Sequence, residues 1–152
     1  MKRFCGALAA LVAACVLVPA AAVAGPAVAN GGGHGTDGLR PFSQFGFGVT
    51  QSADGSVQGH FNCLMAGATQ FPGFTLMAVR GQVTNGTIGS GSASFDGVGM
   101  FQTGNQGKSP ATFHVDVTAG GPGVGTLHLT LLTPFFFDLP VEQVMDGQIS
   151  IH

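Results

Sequence analysis

The chain has 152 residues, 26 of them Gly and 13 Phe, with no Trp or Tyr and a formal net charge of -2. Its 5 Lys and Arg against 7 acids offer no basic stripe to neutralise phosphates, which disfavours nucleic acid and anionic lipid as partners. Without Trp or Tyr the usual platform for stacking sugar rings is missing, so the Phe side chains are expected in a dry core or an apolar pocket.

Lys2-Arg3 precede an apolar run from Phe4 through Val18 and then small residues, the anatomy of a secretory signal peptide, expected over 1–29. Cleavage after Ala24 or after Ala29 satisfies the small-x-small rule, and the second is preferred because it removes the whole alanine-rich tract. Val12-Ala13-Ala14-Cys15 resembles a lipobox, but the apolar run continues past Cys15, so release to a secreted or periplasmic address is preferred to lipid anchoring. No later apolar run reaches the ~20 residues of a membrane-spanning helix. Loss of Lys2 and Arg3 leaves Arg40, Arg80 and Lys108 against 7 acids, a net charge of -4. Cys63 is then the one remaining cysteine, expected as a buried, inert thiol outside any internal disulfide.

Residues 30–41 read as a glycine-rich, flexible lead-in to an antiparallel β domain over 42–152. The segment Gly32 to Leu39 matches once the glycine-aspartate nonapeptide that binds calcium in β-rolls; such rolls need consecutive copies, which favours a linker. From Gln44 to Thr50, Phe45, Phe47 and Val49 alternate with glycines. A turn at Ser52-Ala53-Asp54-Gly55 leads into Val57 to Met65, where Phe61 and Cys63 share the apolar side and His60 lies on the polar one. A loop at Gln70-Phe71-Pro72-Gly73 precedes a strand from Thr75 to Thr84, Asn85-Gly86 reads as a two-residue turn, and Ser92 to Met100 returns.

The clearest pattern runs from Ala111 to Leu132. Phe113, Val115 and Val117 alternate with His114, Asp116 and Thr118; a glycine-dense break follows, and then Leu127, Leu129 and Leu131 alternate with His128 and Thr130. This is an antiparallel hairpin, whose residue numbers sum across the pairs to 242 if His114 faces His128, or to 244 if Asp116 does. Thr133-Pro134 ends it, Phe135-Phe136-Phe137 cannot all point inward if extended, and Val141 to Val144 and Gln148 to His152 close the chain as short strands. The expected fold is an all-β, single antiparallel β-barrel or sandwich of about 7–8 strands, meander-like. Closure favours the barrel, because so neutral a chain has few charges to protect sheet edges.

The order of these motifs resembles a small secreted bacterial all-β family, the post-COAP domains. The resemblance rests on Gly31 to Gly33, Phe45-Gly46-Phe47-Gly48-Val49, Gly59-His60-Phe61, Ala93-Ser94-Phe95-Asp96-Gly97, Phe113-His114-Val115-Asp116-Val117 and the closing Gly147 to His152. It implies fold and secretion alone, for that family carries no established activity.

Candidate chemistry centres on His60, His114, Asp116 and His128, polar-face residues of the kind that hold zinc with a water in the fourth position. Solvated surface histidines are the simpler expectation, and neither zinc nor calcium is required. The stretch Gly89 to Ser94 does not spell a nucleophile elbow, and no spacing singles out a carboxylate pair among Asp96, Asp116, Asp138 and Glu142. The sequence therefore points to a secreted, non-enzymatic β-domain of structural or binding role. The alternatives are a lipocalin-like carrier of a small apolar ligand and a cyclase-type enzyme, both using the barrel interior. Phe135, Phe136 and Phe137 are the candidate surface for self-association.

Overall fold

The computed structural model describes residues 25–38, 41–66, 76–104 and 106–152. The expected signal segment up to Ala24, Cys15 within it, and the Gln70 to Gly73 loop lie outside the described residues. Among the described residues the chain is all strand, without a helix: β1 (Ala27–Thr36), β2 (Pro41–Gln51), β3 (Val57–Ala66), β4 (Leu76–Ile88), β5 (Ser92–Thr103), β6 (Ser109–Thr118), β7 (Thr126–Thr133), β8 (Phe137–Asp138) and β9 (Glu142–Ile151). All pair antiparallel in one sheet of order β6-β5-β4-β3-β2-β1-β9-β7-β8, and β6 also pairs with β7. The order returns on itself as a ring, so most strands have two hydrogen-bonded neighbours and few edges remain.

One face of that ring forms the core. Phe45, Phe47, Phe61, Phe95 and Phe113 point inward with Val79, Val115, Leu127, Leu129, Leu131 and Ile149, all buried. Phe61 meets Phe113 with centroids 5.3 Å apart and Phe95 at 6.1 Å, and Phe95 meets Phe47 at 5.6 Å, a continuous aromatic stack. Cys63 is fully buried among these residues, as its place on the apolar side predicts.

The glycine-rich lead-in is a correction. Residues 27–36 form β1, paired along its length with β2 and with β9. The stretch carries no apolar alternation because bulky neighbours already fill the space beneath it: a Cβ on Gly31 would stand 2.8 Å from the Phe47 ring and 3.0 Å from Ile149. Cleavage after Ala29 would therefore cut inside β1, whereas cleavage after Ala24 leaves it whole. Ala29 is buried, and Val28 and His152 exchange both backbone hydrogen bonds at 2.9 Å. A chain beginning at Asn30 is expected to be less stable than one beginning at Gly25 by about 2–4 kcal/mol, the worth of several ladder hydrogen bonds. Equal urea midpoints for the two chains would show that these first residues contribute nothing.

A second correction concerns Asn85-Gly86. β4 runs straight through this dipeptide, with a register shift between Val83 and Asn85, and the chain reverses instead at 89–91. Gly91 supplies the left-handed turn conformation at φ +98°, and a side chain on Gly86 would press on Phe95, with a Cβ 2.8 Å from that ring's own Cβ. The closing segment also differs: Val141–Val144 and Gln148–His152 do not form two strands but belong largely to the single strand β9.

Candidate functional site

The outer face of β5, β6 and β7 carries the polar residues that sequence singles out. The β6–β7 register sums to 244, so Asp116 lies opposite His128 and His114 opposite Thr130. On the other side of β6, Asp96 of β5 lies opposite His114. His114 is thus enclosed by acids from two strands: its Nδ1–H donates to Asp96 Oδ1 at 2.7 Å, while Nε2 is 3.3 Å from Asp116 Oδ2 and 3.3 Å from Ser94 Oγ. His128 Nε2–H donates to Asp138 Oδ1 at 2.9 Å, and the Thr130 hydroxyl donates to the same oxygen at 2.9 Å. The short strand β8 sets that aspartate in place, since Asp138 pairs directly with Thr130.

The structure brings together His114 and Asp116 and places His128 beside them across the strand. It does not bring His60, which sits on β3, a neighbour of β2 and β4, with its ring over Gly48. Among the described residues no three His, Cys, Asp or Glu side chains converge on a point where a metal ion could sit. Asp96 and Asp138, the partners that orient the two histidines, are separated from them in sequence and become neighbours only through strand register.

A groove of about 440 Å³ opens beside this cluster, lined by Ser94, Asp116, His128, Thr118, Ile88 and Val141 among others. Ser94, His114 and Asp96 stand in the order of a serine, a histidine and an orienting acid. Two features oppose hydrolysis through them. Asp116 Oδ2 stands as close to the same imidazole nitrogen as Ser94 Oγ does, so an acid competes with the serine for it. Ser94 is near the start of β5 but paired on both sides, in register with Thr87 and Asp116, so its backbone is engaged in the ladder rather than free to donate.

Inside the ring lies a polar group that pattern reading passed over. Glu142, only 1% exposed, accepts a hydrogen bond from the Ser43 hydroxyl, while its buried Oε1 has no hydrogen-bond partner among the described residues. Gly35 lies against this carboxylate so closely that any side chain there would collide with it. Burial pushes the Glu142 carboxyl up to about 7, the Ser43 hydroxyl opposes that shift, and the nearby charge of Asp37 adds to it. The Cys63 thiol is also pushed up, first by burial and then by Glu142. A thiol held in that form is a poor nucleophile and metal ligand. The signal was present in the sequence: Glu142 shares strand parity with Val144, an inward residue.

The phenylalanine run is divided. Phe135 stacks edge-on against Phe101, centroids 5.4 Å apart, and against Phe137 at 6.4 Å, so it folds over one end of the ring; Phe136 is 70% exposed.

Comparison with protein families, with curated proteins and with solved structures finds no match.

Proposed function

We propose that this chain is an exported, non-enzymatic β-domain of structural or binding role that works through its outer face, with export cleavage after Ala24. The reading is carried by the filled interior. Phe61, Phe95 and Phe113 stand where a lipocalin-like carrier or a cyclase-type enzyme would hold its ligand; Phe61 packs against both of the other rings, and Phe113 lies directly on Gly81 and Gly97. The resemblance to post-COAP domains agrees with fold and export and adds no chemistry.

Native mass spectrometry of the protein as secreted tests this. A bare chain beginning at Gly25 is expected. A retained apolar small molecule would return the carrier reading, and a bound metal ion would turn attention to His114, Asp116 and His128. Self-association through Phe135, Phe136 and Phe137 is a second reading, favoured by the exposure of Phe136. It requires a dimer in the same spectrum that Phe136→Ser returns to monomer.

A further inference from the structure

The outward positions of β3, β4 and β5 are polar along much of their length, with Gln58, His60 and Asn62 on β3, Gln82 on β4, and Ser94 and Asp96 on β5. Towards the other end of the same strands the pattern breaks. Leu64, Leu76, Ala78 and Met100 face outward, and register sets them side by side: Leu64 opposite Ala78, Ala78 opposite Gln102, and Arg80 opposite Met100. They floor a groove of about 220 Å³ whose charged walls are Arg80 and Lys108. Met100 is 40% exposed, and Val98, next outward on β5, is 49% exposed.

The charge of that groove is unusual for this chain. Of its seven acids, Asp96, Asp116, Asp138 and Asp146 are engaged with histidines elsewhere on the surface. Among the described residues neither Arg80 nor Lys108 takes part in an ion pair. Two uncompensated cations therefore stand at the rim of an apolar floor in an otherwise acidic protein. Beside Arg80, in register with it, Asn62 carries a buried Oδ1 that has no hydrogen-bond partner among the described residues.

We propose that this groove binds single-chain amphiphiles with an anionic headgroup, the alkyl chain lying on Leu64, Leu76, Ala78 and Met100 and the head between Arg80 and Lys108. At about 220 Å³ the groove is smaller than the ~300–1,000 Å³ of sites for drug-sized molecules, which suits one short chain. A second copy seated through the same face would set Arg80 and Lys108 of each chain against those of the other, a like-charge contact. An anionic bilayer is a poor occupant, because the released chain as a whole carries net negative charge. The proposal rests on the reading that binding belongs to the outer face.

The test is a titration of the full released chain, labelled with 13C at its Met methyls, with hexanoate, octanoate and an octyl trimethylammonium salt below their micelle concentrations. Met100 reports the groove, Met65 and Met77 report the interior, and Met145 on β9 is a surface control. Octanoate is expected to shift Met100 saturably while leaving the other three unmoved. The two added methylenes should tighten octanoate over hexanoate about tenfold. The double variant R80Q/K108Q, at exposed positions that leave folding intact, should weaken octanoate roughly fivefold. An unmoved Met100 would overturn the groove alone. Shifts at Met65 and Met77 would overturn both the groove and the filled-interior reading. Equal binding of the cationic amphiphile, or an R80Q/K108Q variant that binds octanoate as tightly as the parent, would overturn the anionic headgroup.

Discussion

Unfolding free energy is expected to fall by about 3 kcal/mol between pH 4.5 and pH 7.5, and Glu142→Gln should abolish that fall. The Glu142 carboxyl is raised from 4.5 to about 7 in the folded chain, so the folded state holds this proton more tightly than the unfolded state does. Its contribution is therefore fully present below about 4.5 and is lost as pH rises through 7. Gln keeps the shape and an acceptor for Ser43 but cannot ionise, so its stability should be flat across the window. The amide left without a partner has its own cost, of about 1–3 kcal/mol. The slope rather than the absolute stability is thus the decisive quantity. Urea titrations of both proteins at half-unit pH intervals measure it, and parallel slopes would show that Glu142 is hydrated rather than sealed in the core.

Phe113→Ala should cost about 3–5 kcal/mol, the range for deleting a buried ring from a core that cannot collapse around the gap. The ring is fully buried, lies over Gly81 and Gly97, and touches Phe61 with centroids 5.3 Å apart. The complementary change, Gly97→Ala, should be as severe. Its Cβ would collide with the Phe113 ring and stand 2.6 Å from the Gln82 carbonyl oxygen, and that backbone cannot give way as a side chain can. Thermal melts read both. Phe113→Ala should also bind benzene in the vacated space while the parent does not, since a dry apolar cavity of ring size takes such a ligand. Benzene binding by the parent would mean that its interior already has room, which returns the carrier reading.

Alternation made most of the ring legible. Val57 to Met65, Ala111 to Val117 and Leu127 to Leu131 each carry inward side chains at a period of two, and each is a strand with those residues buried, save the half-buried start of the first at Val57 and Gly59. β1 escaped because its inward positions after Ala29 are Gly31, Gly33 and Gly35, which leave no apolar alternation to read. Asn85-Gly86 misled because a local turn preference was outweighed by continuous pairing of β4 with β5 on either side of the dipeptide. On the outer face, His114, Asp116 and His128 could be assigned to one surface, but their real partners Asp96 and Asp138 depend on which strands lie adjacent. Glu142 was hidden for a different reason. Val141 to Val144 and Gln148 to His152 read as two separate strands, whereas one strand continues through Asp146-Gly147, with the backbone shift taken up where His34 and Asp146 pair. Splitting β9 there detached Glu142 from the inward series that ends in Ile149 and Ile151.

The neighbouring positions of the first and last strands have a kinetic meaning. From β1 to β7 every successive pair is a hairpin that forms from residues close in sequence, but His34 and Asp146, which join β1 to β9, are 112 residues apart. Nearly all the loop-closure entropy of the ring is therefore concentrated in one event, the meeting of its two ends. Because that entropy is lost before the contacts of the join offset it, closure is expected to be the slow step, and weakening the β1–β9 contacts should slow folding as well as speed unfolding. The meeting of the first and last strands then sets the pace at which the ring forms, while the hairpins that precede it come together from residues close in sequence.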